Sequence, residues 1–144
     1  MRHIPAIKSV MTPFPYSVDI NASLFDARQF MDEHKIRHLP VTDEERLVGI
    51  ISERDIRAYL GIDFDSSKEL QTRVHNVKLE KPYIVDLNER LDIVLQKLSD
   101  DHIDAVLVTR NGKLAGVFTM TDACRNFAEY LRDQFGPSGG NDAA

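Results

Sequence analysis

Apolar and polar positions follow two rhythms along this chain, and the same order of rhythms is written twice. In residues 23–34 the side chains Leu24, Ala27, Phe30 and Met31 recur close to helical spacing. Further on, Leu91, Val94, Leu95 and Leu98 follow i, i+3, i+4, i+7, which predicts a second amphipathic helix. Ser23 with Asp26 three residues later has the spacing of a capping box, and Asn88 is the nearest cap candidate for the later helix. Two short β-rich runs follow each helix. Residues 38–42 and 47–51 are joined by Asp43-Glu44-Glu45, and residues 105–109 and 113–118 flank Asn111-Gly112, a strong hairpin signal. Another helix is predicted to start near Ser52 and near Thr119, the later one running through Phe127, Tyr130 and Leu131 toward Phe135. Each copy thus reads strand, helix, strand, strand, helix, an α/β (α+β) unit.

The two copies share a fixed offset of 67 residues. Gly49-Ile50-Ile51-Ser52-Glu53-Arg54-Asp55 returns as Gly116-Val117-Phe118-Thr119-Met120-Thr121-Asp122. The same offset pairs Pro15 with Pro82, Tyr16 with Tyr83, Leu24 with Leu91, Ile36 with Ile103 and Val41-Thr42 with Val108-Thr109. A gapless duplication of this length implies two copies of one structural unit that bury their apolar faces together. Units near 60 residues bury too little surface to be comfortable alone, so the pair is expected to act as one cooperative fold with two equivalent clefts. The expected boundaries are residues 7–60 for the first repeat, 61–73 for a polar connector with one helical turn, 74–135 for the second repeat, and 136–144 for a mobile tail opened by Gly136-Pro137.

Composition narrows the function classes. A net charge of −5 with scattered Lys and Arg gives no electrostatic footprint for nucleic acid. No apolar run approaches the roughly 20 residues needed to span a bilayer, and no signal-peptide pattern opens the chain. The single Cys124 excludes an intrachain disulfide and fits a reducing compartment, so a soluble cytoplasmic protein is expected.

The chemistry-bearing pattern is Gly, two apolar residues, Ser or Thr, two residues, Asp. A helix cap alone accounts for Ser-x-x-Asp: an N-cap hydroxyl and an acidic residue at the third helical position. The glycine adds information, because inside a strand it marks close approach of another group to the backbone. A free helix N-terminus, a hydroxyl and a carboxylate beside that glycine can hold a ribose and its phosphate, the carboxylate accepting from two hydroxyls and the backbone N–H groups meeting phosphate oxygens.

Val10-Met11-Thr12-Pro13, the helix from Ser23, Ile36-Arg37-His38-Leu39-Pro40-Val41 and both Gly-to-Asp motifs resemble a tandem pair of cystathionine β-synthase (CBS) domains, sometimes called a Bateman module. The likeness runs from about Ile7 to Tyr130. It implies two pseudo-symmetric β-α-β-β-α repeats packed sheet to sheet with ligand clefts between them, and modules that commonly associate into a flat disk. Carried onto this sequence, it implies that Asp55 and Asp122 hold ribose hydroxyls, with Ser52 and Thr119 beside ribose or phosphate and Gly49 and Gly116 behind them. It also implies that Thr12 and Pro13 line the adenine of the Asp122 cleft. Their counterparts begin with Leu79, and Met11 aligns with Lys78, so the Asp55 cleft is expected to lack that wall. Arg37-His38 stands where some members carry a basic pair that reaches nucleotide phosphates. The counterparts are Asp104-Ala105, so an anionic ligand is expected to bind the two clefts unequally. The plainer reading makes Arg37 a surface cation and His38 a partly buried strand residue.

Other candidates carry less. His34 and His38 are four apart, but Pro40 and the β-like run argue against one helix holding both, and no zinc-ligand spacing accompanies them. Cys124 aligns with Arg57 and has no activating partner nearby. Asp100-Asp101 and Asp43-Glu44-Glu45 look like solvated carboxylates. No residue set combines nucleophile, base and orienting partner, so catalysis is not expected. The leading expectation is a regulatory module that needs no cofactor and binds an adenosine-containing ligand, AMP or ATP ahead of ADP, S-adenosylmethionine and NAD-type molecules. The resemblance further implies a homodimer, with output through a protein effector or through association. The competing readings are a ligand-free association module, in which the motifs are only helix caps, and an adenosine-dependent enzyme.

Overall fold

The computed structural model describes residues 3–13, 15–62, 65–79 and 81–136. Residues 137–144, nearly all of the expected tail, lie outside the described residues, as do Asp63 and Phe64 of the connector. In chain order the elements are a 3-10 turn Ile7–Ser9, β1 (Thr12–Pro13), β2 (Val18–Asp19), α1 (Leu24–His34), β3 (His38–Asp43), β4 (Arg46–Ser52), α2 (Glu53–Leu60), α3 (Ser66–Gln71), a second 3-10 turn Val74–Asn76, β5 (Tyr83–Asp86), α4 (Leu91–Asp101), β6 (Ala105–Arg110), β7 (Lys113–Thr119) and α5 (Met120–Phe135). The strand-helix-strand-strand-helix order is present in both copies. Among the described residues no helix is long and apolar enough to cross a membrane.

The chain divides into two compact units, and neither is a simple repeat. One contains Phe14–Tyr83 with Gly112–Leu114, the other Met1–Pro13, Ile84–Asn111 and Ala115–Ala144. In the first, β2 runs parallel to β3 with α1 as the crossover, and β4 returns antiparallel beside β3. Leu24, Ala27 and Met31 of α1 pack with Leu39, Val41, Ile51, Ile56, Leu60 and Val74 in one buried cluster. Val41 pairs with Gly49 but Thr42 pairs with Leu47, so Val48 bulges out of the ladder just before the glycine. Glu44 and Glu45 both take left-handed conformations (φ 49° and 69°), the same pair of conformations that Asn111-Gly112 supplies in the other hairpin (φ 52° and 80°). Ser23 Oγ accepts the Asp26 N–H at 3.0 Å. Lys35 turns left-handed and ends α1, leaving His38 to open β3, as the proline predicted.

In the other unit the sheet order is β1-β7-β6-β5, and Ile7, Val94, Leu98, Val106, Leu107, Val108 and Phe118 are buried. Two expectations for α4 need correcting. Its N-cap is Arg90, which makes no side-chain cap bond; Asn88 instead donates its N–H to Asp86 and accepts the Lys8 ammonium at 2.9 Å. Of the four periodic residues Val94 and Leu98 are buried, whereas Leu95 is 38% exposed, because the buried stripe is narrower than the heptad-like spacing suggests.

The units cross the repeat boundary because equivalent segments are exchanged. Ile7 N–H donates to Glu89 C=O at 2.8 Å, Lys8 N–H to Leu87 C=O at 3.1 Å and Leu91 N–H to Pro5 C=O at 2.9 Å. In the other unit Val74 N–H donates to Ala22 C=O at 2.9 Å, His75 N–H to Ile20 C=O at 3.0 Å and Leu24 N–H to Thr72 C=O at 2.9 Å. Each bond is the 67-residue counterpart of the other, and Ile7 and Val74 are both fully buried. The segment that opens each repeat by sequence therefore packs on the helix and strands of the other.

The connector contributes a helix, α3, longer than the single turn expected. Its Glu69 is fully buried and receives two bonds from the Arg28 guanidinium on α1, one of them Nη2 to Oε2 at 3.1 Å. That hydrogen bond raises the Arg28 pKa further, against the opposing effect of desolvation. Removing one partner of a buried pair leaves an uncompensated charge, roughly 3–5 kcal/mol when fully buried. Arg28 keeps about a third of its side chain in solvent, so Arg28→Ala is expected to destabilise near the lower end of that range. Urea unfolding checks this, and the double change Arg28→Met with Glu69→Leu should recover most of the loss. A single variant as stable as the parent would show the pair to be idle.

Candidate functional site

Two strand-to-helix junctions hold the residues singled out by the repeat. At the first, Ser52 is extended (φ −110°, ψ 161°) and caps α2: its Oγ accepts the Asp55 N–H at 3.0 Å and Asp55 Oδ2 accepts the Ser52 N–H at 2.9 Å. At the second, Thr119 caps α5 in the same way, Oγ1 accepting from Asp122 N–H at 3.2 Å and Asp122 Oδ2 accepting from Thr119 N–H at 2.9 Å. Both capping boxes are closed, so the simplest reading of Ser/Thr-x-x-Asp is realised at each. A carboxylate has about four acceptor sites, and the box occupies one. Each junction therefore keeps acceptor capacity beside a helix N-terminus.

On the strand that leads to Asp122 the neighbouring residues come from β1. Thr12 pairs with Val117 and Pro13 with Gly116, in antiparallel register. Gly116 is buried, and a β-carbon there would overlap Met11 Sδ and lie 3.0 Å from the Thr12 carbonyl oxygen. The group that approaches this glycine is thus the chain's own first strand. Thr12 and Pro13 are exposed on the outer side of β7, in the same unit as Gly116, Thr119 and Asp122.

Around Asp55 the neighbours come from β3. His38 pairs with Ser52, and the Arg37 carbonyl accepts the Glu53 N–H at 3.0 Å, so the basic pair stands at the start of α2. Arg37 is exposed and His38 half-buried. Gly49 is buried opposite Val41. Leu79, the counterpart of Thr12, packs against the hydrophobic cluster of this unit, and Lys78 is exposed. The ten residues therefore separate into Thr12, Pro13, Gly116, Thr119 and Asp122 in one unit and Arg37, His38, Gly49, Ser52 and Asp55 in the other. The counterpart of Arg37 at the Asp122 junction is Asp104, whose carbonyl accepts the Met120 N–H at 3.0 Å.

One residue at the second junction was not anticipated. Arg125 donates Nη1 to Asp122 Oδ1 at 3.0 Å, reaching back one turn of α5. The i, i+3 spacing of opposite charges is its signal in the sequence. The 67-residue counterpart is Ala58, and Arg57 is turned to Glu53 at 2.6 Å. Among the described residues no group of three His, Cys, Asp or Glu could hold a metal ion, and Cys124 is exposed.

These features define a duplicated α/β chain in which each copy sets one carboxylate at the start of its last helix. The family model for the CBS domain matches it twice, over residues 7–62 and 74–129, and the chain belongs to the CBS-domain family. The two matches stand at the same offset of 67 as the motifs. The CBS domain pair of protein MJ0100, solved in complex with 5′-methylthioadenosine and S-adenosyl-L-methionine, is 27% identical with a TM-score of 0.77, covering 89% of this chain and 99% of that one. Two curated relatives are from Methanocaldococcus jannaschii: zinc metalloprotease MJ0392, 32% identical over 118 residues, and L-aspartate semialdehyde sulfurtransferase, 31% identical over 126 residues. The matches take in 82% and 86% of this chain but span 31% and 23% of those proteins.

The close approach at Gly116 makes a specific demand. Gly116→Ala is expected to destabilise by roughly 1–3 kcal/mol, the range for overpacking. Adding Met11→Ala should recover part of the loss, because the Met11 side chain is then gone and the Thr12 carbonyl contact remains. Chemical denaturation reads both, and an unchanged midpoint for Gly116→Ala contradicts the crowding of this position by Met11 and the Thr12 carbonyl.

Proposed function

We propose that this CBS pair is a regulatory module that binds an adenosine-containing ligand, AMP or ATP, and does not catalyse a reaction. The observation that carries the reading is the exposed Thr12-Pro13 pair laid beside Gly116, in the unit where Asp122 keeps acceptor capacity at the start of α5. A carboxylate so held suits the two hydroxyls of a ribose, and the helix N-terminus suits a phosphate. The adenosine-based ligands of the MJ0100 pair support the same ligand class. In this reading residues 7–60 and 74–135 are the two binding repeats and 61–73 their connector. Asp122, Thr119, Gly116, Thr12 and Pro13 serve one site, and Asp55, Ser52, Gly49, Arg37 and His38 serve the other. The Arg37-His38 pair favours a phosphate-bearing ligand at the latter.

The module acts in the cytoplasm as a homodimer, passing its signal through a protein effector or its own association. Support for the homodimer comes from α5, on which Phe127, Tyr130, Leu131 and Phe135 are all exposed and Asp122 alone is buried. A second reading is favoured by one observation: both capping boxes are complete, and Gly116 is accounted for by β1, without any ligand. The pair would then serve association alone.

Thermal melting against AMP, ADP, ATP, S-adenosylmethionine and NADH separates the two. A ligand at 100 times its Kd adds about 2.7 kcal/mol, seen as a rise in Tm. The rise is expected with an adenine nucleotide and is expected to be lost in Asp122→Ala or in Asp55→Ala, whichever carboxylate holds the ribose. Each substitution also lowers the baseline by ~1 kcal/mol through loss of the cap. A baseline drop with no response to any of the five ligands in the parent chain leaves the association reading standing.

A further inference from the structure

We infer that Arg125 sharpens the selectivity of the Asp122 junction for ribose over 2′-deoxyribose, a contribution with no counterpart at the Asp55 junction. The inference rests on the adenosine reading above and goes one step further, to the residue that sets selectivity.

The argument starts from the two oxygens of Asp122. Oδ2 is held by the Thr119 N–H and Oδ1 by the Arg125 guanidinium, at 2.9 and 3.0 Å. The carboxylate is therefore fixed at both ends, within a side chain that is 9% exposed. Each oxygen keeps one further acceptor position. Two acceptors at the spacing of one carboxylate, unable to rotate, match two hydroxyls on neighbouring carbons. The guanidinium adds the complementary half. Only one of its five N–H groups is engaged with Asp122, and the side chain is 60% exposed, so donors stand open beside the same carboxylate. A ribose hydroxyl donates one hydrogen and accepts others. Two neighbouring hydroxyls placed there can donate to both oxygens of Asp122 while one accepts from Arg125, whereas a 2′-deoxyribose keeps only its 3′-hydroxyl and leaves one of these positions unfilled.

The first junction lacks this second anchor. Asp55 Oδ2 is held by the Ser52 N–H in the same way, but Ala58 occupies the position of Arg125, and Arg57 is engaged by Glu53. Two junctions alike in their backbone and cap thus differ in how completely the carboxylate is fixed, and in whether an arginine one turn along the same helix is bonded to it.

Calorimetric titration of the full chain carrying Asp55→Asn, with AMP and with 2′-deoxy-AMP, tests this. Asn keeps an acceptor for the cap, and Asp122 becomes the working junction. AMP is expected to bind at least about tenfold more tightly than 2′-deoxy-AMP, the scale of one hydrogen bond to a charged group. In Arg125→Ala the ratio should fall to about threefold or less, with Arg125→Lys in between, because lysine keeps the charge without the planar fork. Arg125 is on the surface, and an unchanged Tm for both variants shows that the fold is intact. Two results overturn the inference while leaving AMP binding in place: an unchanged ratio in Arg125→Ala, or tighter AMP binding there, which would make the arginine a competitor of the diol. No AMP binding by the chain with Asp55 intact sinks the AMP reading and takes the inference with it. AMP binding that Asp55→Asn abolishes moves the ligand to the other junction and overturns the inference alone.

Discussion

Everything else in this fold depends on one buried slot in each unit, filled by Ile7 in one and by Val74 in the other. A unit near 60 residues has little apolar area in reserve, so leaving such a slot empty would remove core it cannot spare. The three backbone hydrogen bonds that seat each segment are the same in both units, atom for atom at the offset of 67 residues. The residues that fill the slots open the opposite repeats in the sequence. Neither repeat is therefore a complete folding unit when cut at its own boundary, and the connector with α3 is part of the structure. The buried Arg28–Glu69 pair holds α3 to α1, immediately before the chain delivers Val74.

The same exchange builds one junction and leaves the other different. Once Ile7 is seated, the chain continues through Met11 into β1, and the Met11 side chain with the Thr12 carbonyl crowds the space a β-carbon at residue 116 would take. Thr12 and Pro13 lie beside Val117 and Gly116 of β7 for that reason. At the equivalent place in the other unit stands Leu79, an apolar residue drawn against the core. Arg37 and His38 stand beside Ser52, and Asp104 and Ala105 occupy their places beside Thr119. Duplication has kept the capping geometry, which the fold requires of both helices, and has let the surrounding residues diverge.

Much of this was legible in the sequence, and for identifiable reasons. The repeated motif gives the offset, Asn111-Gly112 gives a turn, and Ser52 and Thr119 give helix starts, because each is a local preference acting within a few residues. Proline at position 40 ended the helical pattern before His38 for the same local reason. The exchange of starting segments is not local: periodicity says that Ile7 and Val74 are apolar, never which copy they pack on. Asn88 has the residue type of a cap, yet its amide oxygen is engaged by Lys8, 80 residues away in sequence. Glu69 falls within what the sequence shows as a polar connector, since only tertiary packing brings Arg28 to it. The glycine at 116 signals close approach of another group to the backbone, and the sequence alone does not say that Met11 and Thr12 supply one. Arg125 shows only as an i, i+3 charge pair, common on exposed helices and uninformative until Asp122 is known to be buried.

The placement of Asp122 on α5 decides how a signal could leave the molecule. Of the 16 residues in this helix Asp122 alone is buried, and Phe127, Tyr130, Leu131 and Phe135 follow it with large exposed apolar surface. At about 1.5 Å per residue, the exposed aromatics lie roughly 7–20 Å along the axis from the carboxylate. On the proposed reading a ligand gripping Asp122 and lying against Thr12-Pro13 fixes the first turn of the helix against β1. A rigid helix carries that constraint to its far turns without a separate pathway. The ligand alters association only if its affinity differs between the arrangements of α5 that the free chain samples, since equal affinity for all of them shifts nothing. The capping box limits those arrangements by tying Asp122 to Thr119, while the β1 contact at Gly116 limits the strand from which the helix springs. On the proposed reading, a carboxylate that is at once cap and ligand acceptor makes the start of α5 the point at which binding and association meet.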